Sequence, residues 1–311
     1  FERWTKDLLE CYSYKKSLGT LKITAKDTKQ GHKKYAKAAY KAVQIEFVIE
    51  DTLEDRTFSW KVNFDLDPSC IELQADPMPY QFFAGYGYCI NKLLFSELSK
   101  YGLVADKNAE TGGGGHISLD VGTAFCGNAV YLRNFLVLYS CETIKASIEK
   151  DAKEQEKELT EAQKKQMQHS FLTKEQRQLL AESQDLANEP FLFEEWKRFE
   201  DFIAEFDRQQ ASIEQFVRGI HAQVYVGATR ELEASMGGAA NVKQEDKRHY
   251  QAVNLEHVHD DGRIELRRFD AQENINELLQ QTEVLFQILM MARTNWKISA
   301  DKALGSDYFA G

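Results

Sequence analysis

Four short stretches of alternating residues each place an acid where a half-buried strand would face water. Val43 to Glu50 sets Val43, Ile45, Phe47 and Ile49 on one side and Gln44, Glu46, Val48 and Glu50 on the other. Ile71 to Gln74 adds Glu72. The stretch His116 to Val121, which follows the glycine run Gly112 to Gly115, adds His116, Ser118 and Asp120. A hairpin of Tyr250–Val258 and Arg263–Phe269 adds Asn254, Glu256, Arg263, Glu265 and Arg267, with Val253, Leu255, Ile264 and Leu266 on its other face. Several carboxylates on one face repel one another unless cations sit among them. Arginine binds phosphate oxygens in a two-pronged grip. Acids with an arginine on one face are therefore the equipment of a Mg–nucleotide site. An ordinary antiparallel sheet with one wet face has the same alternation, and the pattern alone does not choose between them.

Other chemistries find little support. The five cysteines (Cys11, Cys70, Cys89, Cys126 and Cys141) contain no Cys-x-x-Cys and read as free thiols of a reducing compartment. His257-x-His259 is the nearest approach to a histidine metal pair, and it lacks a third ligand. No Gly-x-x-x-x-Gly-Lys-Ser/Thr exists, so Gly112 to Gly115 is not a P-loop, and no Gly-x-Gly-x-x-Gly opens a helix after a strand. The glycine run is either a connector or a place where backbone approaches a ligand beside His116.

The elements that would hold these residues are mixed. A short amphipathic helix is expected over Phe1 to about Lys16. A basic segment at 21–42 follows, with seven lysines against Asp27, read as a solvated arm or helix face, or else as a phosphate-facing patch. Phe58 to Phe64 reads as a further strand, and Tyr80 to Tyr101 as a helix ended at Gly102. Val130 to about Leu186 reads as helix. From Lys145 it is dense in Lys, Glu and Gln, as a protruding hairpin or a long exposed helix would be. Pro190 breaks it, a helix runs from Phe191 to His221, Gly237 and Gly238 mark a loop, and Glu273 to Trp296 closes as an amphipathic helix. The Asp261-Gly262 pair marks the hairpin turn. The composition of the 311 residues, 43% hydrophobic and 28% charged, is that of a globular chain. The net charge of −10 argues against nucleic acid or an anionic membrane as main partner. No apolar run nears the ~20 residues of a membrane span, and no signal-peptide pattern opens the chain. The first residue, Phe1, suits an excised domain or a processed chain.

The order and spacing of the four stretches resemble the glutamine synthetase/glutamate–cysteine ligase superfamily, most of all its amidoligase branch. Gln44-Ile45-Glu46-Phe47 stands in the place of a Glu-x-Glu-Phe opening. Trp60-Lys61-Val62, Asp65 or Asp67, Ser69, and Ile71-Glu72-Leu73 with Pro77 resemble a Trp-x-Val, Asp-x-Ser, Glu-Leu-x-Ser-Pro segment. Gly115-His116-Ile117-Ser118-Leu119-Asp120 resembles Gly-x-His-Val-His-Val-Asp. Arg248-x-Tyr250 with Asn254, then Arg263-Ile264-Glu265-Leu266-Arg267, resembles an Arg-Tyr-x-x-Asn hairpin ending in Ile-Glu-Phe-Arg. The likeness covers about residues 43–130 and 245–296. Gln44 replaces the first Glu of that pattern, and Ser118 the second His.

The resemblance implies an α+β fold: a curved antiparallel sheet forming a concave cradle, helices on its convex face, and a long charged helical insertion. The chain would divide into an N-terminal helix and basic arm (1–42), the first part of the sheet domain (43–144), the insertion (145–240) and a closing hairpin with C-terminal helix (241–311). It implies an ATP- and Mg2+-dependent carboxylate–amine ligase working through an acyl phosphate. Glu46 and Glu72 would bind the cation nearest the substrate carboxylate. Glu265 and His116 would bind the cation on the nucleotide phosphates. Arg267 would act on the γ-phosphate with Arg248 or Arg263, and Glu46 and Arg267 would be the catalytic pair. Asn254, Ser118 and Asp120 would line the nucleotide site. The substrates would be an amino acid, a peptide or a protein side chain, as in the related actin cross-linking toxin domains. The setting would be cytoplasmic, or a host cytosol for an effector domain. The departures at Gln44 and Ser118 leave a catalytically degenerate nucleotide-binding or scaffold protein as the alternative.

Overall fold

The computed structural model describes residues 6–7, 16–32, 41–67, 70–105, 107, 114–181, 193–223 and 252–305. Helices mix with antiparallel sheets, and the chain divides into two compact units: 1–105 with 273–279, and 106–272 with 280–311. The strands expected on one sheet fall on two sheets, one in each unit. No helix among the described residues is long and apolar enough to cross a membrane.

The first unit is a meander of β1 (Lys16–Leu18), β2 (Leu21–His32), β3 (Lys41–Asp51), β4 (Arg56–Asp67) and β5 (Cys70–Ala75), paired in that order. Period-two burial dictates it: Ile23, Ala25, Ile45, Phe47, Ile49, Trp60, Val62 and Phe64 all point inward. They meet Phe82, Cys89, Ile90, Leu93, Leu94 and Leu98 of α1 (Tyr80–Ile90), a π-helical turn and α2 (Ser96–Lys100). That helical run ends at Gly102, whose φ of +72° is the left-handed conformation glycine adopts freely. The basic segment, expected as an arm or helix face, is in its first part the strand β2. Ile23 and Ala25 supply the inward positions, and Lys22 and Lys26 lie on the alternate ones. Of the expected N-terminal helix, only Lys6 and Asp7 are described, and both are helical.

The second unit contains β6 (Gly114–Asp120), β7 (Val253–Asn254) and β8 (Arg263–Asp270), ordered β6-β8-β7. Its helices are α3 (Val121–Phe125), α4 (Ala129–Glu154), α5 (Glu161–Gln168), α6 (Lys174–Ala181), α7 (Phe193–Phe206), α8 (Ile213–Gln223), most of α9 (Ile275–Ala292) and α10 (Ala300–Leu304). Residues 132–146 of α4 are buried throughout. The charged stretch from Lys145 is not one exposed helix. It breaks at Glu154, and α6 packs back on α4, where Arg177 reaches Glu149 at 2.7 Å and Leu180 and Ala181 are buried. The helix expected over 191–221 is likewise two, α7 and α8, joined at 207–212 and packed through Phe202, Phe206 and Phe216. Arg133, buried on α4, grips both oxygens of Asp207 at 3.1 and 2.7 Å.

Tyr139 stacks on Phe135 inside this unit, and its hydroxyl meets no acceptor among the described residues. A buried unsatisfied hydroxyl costs about 1–3 kcal/mol. Tyr139→Phe is therefore expected to raise the stability of the protein by about 1 kcal/mol, read as a higher urea midpoint at unchanged slope. A lower midpoint would mean that the hydroxyl has a partner.

Candidate functional site

In the second unit β8 is the central strand, and the register brings the sequence-nominated residues together. Ser118 pairs with Glu265 on one side and Asn254 with Glu265 on the other. Between Gly115 and Ile117 the register shifts by one residue, so Arg267 and Arg268 both stand against His116. His116, Ser118, Arg263, Glu265 and Arg267 consequently share a face, while Arg268 turns away to the carbonyl oxygen of Leu180 at 2.9 Å. Gly115 is required beside this bulge: a Cβ there would lie 2.4 Å from the carbonyl oxygen of Asp270. That close approach is to the protein's own backbone; Gly112 and Gly113 lie outside the described residues.

Glu265 is the hub. His116 Nδ1 lies 2.9 Å from its Oε1, Arg267 Nη1 donates to the same oxygen at 3.2 Å, and Asn254 Nδ2 donates to Oε2 at 3.1 Å. Asn254 is itself oriented by the Glu256 backbone N–H, which donates to its Oδ1 at 2.9 Å. Burial pushes the Glu265 carboxyl up, but the His116 hydrogen bond and the charges of Arg267, His116 and Arg263 outweigh it and hold the group down at about 2. The face expected to be wet is therefore covered here: Asn254 is 0%, Glu265 7% and Arg267 6% exposed.

The rim is more open. Arg263 donates from Nη1 to Ser118 Oγ at 3.0 Å and from Nε to Asp261 at 3.2 Å. Asp120 accepts from the backbone N–H and the hydroxyl of Thr123, so its carboxylate caps α3. Glu256 is not on a strand, because β7 stops at Asn254 and a 3-10 turn takes its place over Glu256–Val258. That turn carries His257, which sequence reasoning passed over as half of a weak histidine pair. Its Nε2 is 3.8 Å from Glu265 Oε2 and its Nδ1 3.7 Å from Asp261 Oδ2. The hairpin register contained the clue, since a turn at 259–262 with Asn254 opposite Glu265 folds residue 257 back toward the same carboxylate.

Glu46 and Glu72 belong to the first unit, on the outer face of its sheet. Glu46 accepts from the Ser59 hydroxyl and pairs with Lys26 at 2.9 Å; these two contacts, in that order, hold its carboxyl below the ordinary value. Gln44 donates to Asn63 at 2.8 Å. Glu46 is opposite Lys61 and Glu72 opposite Asp65, so Glu72 lies four residues along and two strands away from Glu46, which is roughly 16 Å by strand geometry. Arg248, Tyr250 and Ser69 lie outside the described residues.

This donor set does not fit a bound cation as it stands. The two acids of the first unit do not meet, and both oxygens of Glu265 already accept hydrogen bonds. Among the described residues no group of three or more His, Cys, Asp or Glu side chains is gathered to hold a metal ion. The arrangement can instead position arginine and imidazole around one carboxylate held ionised well below neutral pH, next to a more open rim of Ser118, Arg263 and His257. No family model matches the chain, and neither a curated protein nor a solved structure matches it.

Proposed function

We propose that the chain is an ATP- and Mg2+-dependent carboxylate–amine ligase, with the phosphate-handling part of its site on β6 and β8. One observation carries the reading. His116 from one segment and Asn254, Glu265 and Arg267 from another, nominated by resemblance to the amidoligases, converge, with the other three each within hydrogen-bond distance of Glu265. In this reaction a substrate carboxylate attacks the γ-phosphate of ATP to give an acyl phosphate and ADP. An amine then attacks the acyl carbon and phosphate leaves. The substrate is an amino acid, a peptide or a protein side chain, in the cytoplasm or in the cytosol of a host cell. The helices packed on the inner face of the first sheet correspond, in this reading, to the convex side of the superfamily's cradle.

The roles assigned to this chain's own residues need no cation seat. Glu265 fixes the direction of the Arg267 guanidinium, and Arg267 meets charge that develops on the transferring phosphoryl group. Arg263 and Ser118 form the outer wall of the nucleotide site. Any Mg2+ would be held by the triphosphate itself and would supply charge screening there. A specific observation favours a second reading, a catalytically degenerate scaffold: Glu46 is spent on Lys26 and Ser59, and Glu265 on its three donors.

Isothermal titration with Mg–ATP, with and without EDTA, separates the two. A ligase is expected to bind with a metal-dependent heat, and the scaffold to give none. With turnover in hand, Arg267→Lys keeps the charge and removes the planar fork. It is expected to slow ADP release by roughly 10²–10³-fold and to change ATP affinity far less. An unchanged rate would take Arg267 out of the reaction.

A further inference from the structure

We propose that β6 is a self-pairing edge, along which two copies of this chain join antiparallel about a two-fold axis at Ser118, so that their three-stranded sheets become one. The pairing does not depend on the ligase reading, although it sets two of the candidate sites side by side on one sheet face.

β6 ends its sheet, with β8 on one side and, among the described residues, no strand on the other. The direction of its backbone groups follows from β8. Arg267 donates its backbone N–H to the carbonyl oxygen of Ala252, on the β7 side. The alternate residues Ile264 and Leu266 therefore turn theirs toward β6, where they pair with Leu119 and Ile117. The backbone N–H of Val121 continues the series, donating to the carbonyl oxygen of Gly262 at 2.7 Å. His116, Ser118 and Asp120 lie at the intervening positions, so their backbone N–H and C=O groups face the open edge. All three residues are exposed, whereas Gly115 and Ile117 are buried. Proteins blunt such an edge with lysine, proline, a bulge or a very short strand. β6 contains no Lys, Arg or Pro, and the bulge of this sheet falls in β8. By contrast β1, at the edge of the other sheet, has three residues and opens on Lys16.

The order of residues selects a second copy as the occupant. About Ser118 the chain has matching types in both directions: Ile117 answers Leu119, and His116 answers Asp120. A two-fold contact uses such a match twice, since residue i meets j and j meets i. Pairing at this register sets Ile117 against Leu119 of the partner subunit on one face. On the other it sets His116 against Asp120 of the partner subunit, an imidazole opposite an acid, with Cβ atoms about 5 Å apart. Ser118 meets Ser118 of the partner subunit on the axis, and the two exchange both backbone N–H···O bonds. The neighbouring registers lose the match. With the axis at Ile117, Asp120 falls opposite Gly114 and Leu119 opposite Gly115. With the axis at Leu119, His116 falls opposite Gly122, which already belongs to α3.

Sedimentation velocity over a series of protein concentrations tests this. The parent is expected to dimerise reversibly. Ser118→Lys and Ser118→Glu each set like charges against one another on the axis. Each is expected to weaken association roughly 10-fold or more. Ser118 is exposed, so neither change opens the core. An equimolar mixture of the two variants sets opposite charges together and is expected to associate within about threefold of the parent. Misfolding of either variant would not produce that recovery. Amide hydrogen exchange gives a second readout: the Ser118 N–H is expected to slow as the parent dimerises, while that of Ile117, already turned to β8, is unchanged. A parent that stays monomeric at every concentration would overturn the pairing. So would a dimer that both charge variants leave intact, or a mixture that associates no better than either variant alone. Mg–ATP titration reads the ligase proposal separately from all of these outcomes.

Discussion

Glu265→Ala is expected to destabilise the second unit by about 3–5 kcal/mol, the cost of breaking a buried ion pair by removing one partner. From alternation alone Glu265 lies on a wet face, and its loss would leave the fold intact. The structure reverses that expectation, because removing the carboxylate takes away the anion on which Arg267, His116 and Asn254 converge inside the protein. The acid limb of stability gives an independent measure. The carboxyl titrates near 4.5 in the unfolded chain and at about 2 in the folded one. Its contribution is thus complete above pH ~4.5 and disappears as pH falls toward 2, to the extent of about 3 kcal/mol. Glu265→Gln, which cannot titrate, should flatten that window while the parent's urea midpoint falls through it. Superposable acid limbs for parent and Gln variant would show that Glu265 is not held ionised by its neighbours.

Lys145→Met is the second large effect, again about 3–5 kcal/mol. Lys145 is fully buried, bonded to Glu142 at 2.9 Å and to the carbonyl oxygen of Ala303 at 2.8 Å. The other Glu142 oxygen accepts from the Ser170 hydroxyl. Without the ammonium, Glu142 keeps a charge at 1% exposure with its cation gone. Glu142→Leu with Lys145→Met removes both charges and should recover most of the loss, since apolar replacement of a buried pair is often neutral or stabilising. The cycle is read by urea denaturation. Simple addition of the two single losses in the double variant would mean that the pair is not coupled.

The strands of the first unit were legible because inward residues recur at every second position through Ile45, Phe47 and Ile49, and through Trp60, Val62 and Phe64. The strand β2 was not, because its many lysines draw attention from the few apolar residues between them. The helix breaks in the middle of the chain were missed although each has a local signal. Thr160 with Gln163, Thr173 with Gln176, and Ser212 with Gln215 each form reciprocal side-chain and backbone bonds at a helix start. Hydrophobic spacing continues across those points and hides them. For the site, alternation identified which side of β8 carries Glu265 and Arg267. It could not say that this side is covered, because burial depends on what packs there and a single strand's pattern carries no record of it. His257 was hidden for a related reason: the 3-10 turn that aims it follows from where β7 stops.

The two-arginine bulge gives β8 one residue more than its pairing with β6 requires. Leu266 and Phe269 are both buried, although they are an odd number of residues apart. A regular strand would send them to opposite faces. Only the extra residue opposite His116 allows the apolar halves before and after it to keep one side. Removing one of the two arginines would straighten the strand and leave Leu266 and Phe269 on one side, now two residues apart, with their partners Ile117 and Gly115 unchanged. A deletion between Leu266 and Phe269 therefore sacrifices one arginine contact, to Glu265 or to the carbonyl oxygen of Leu180, and spares the apolar side of the strand.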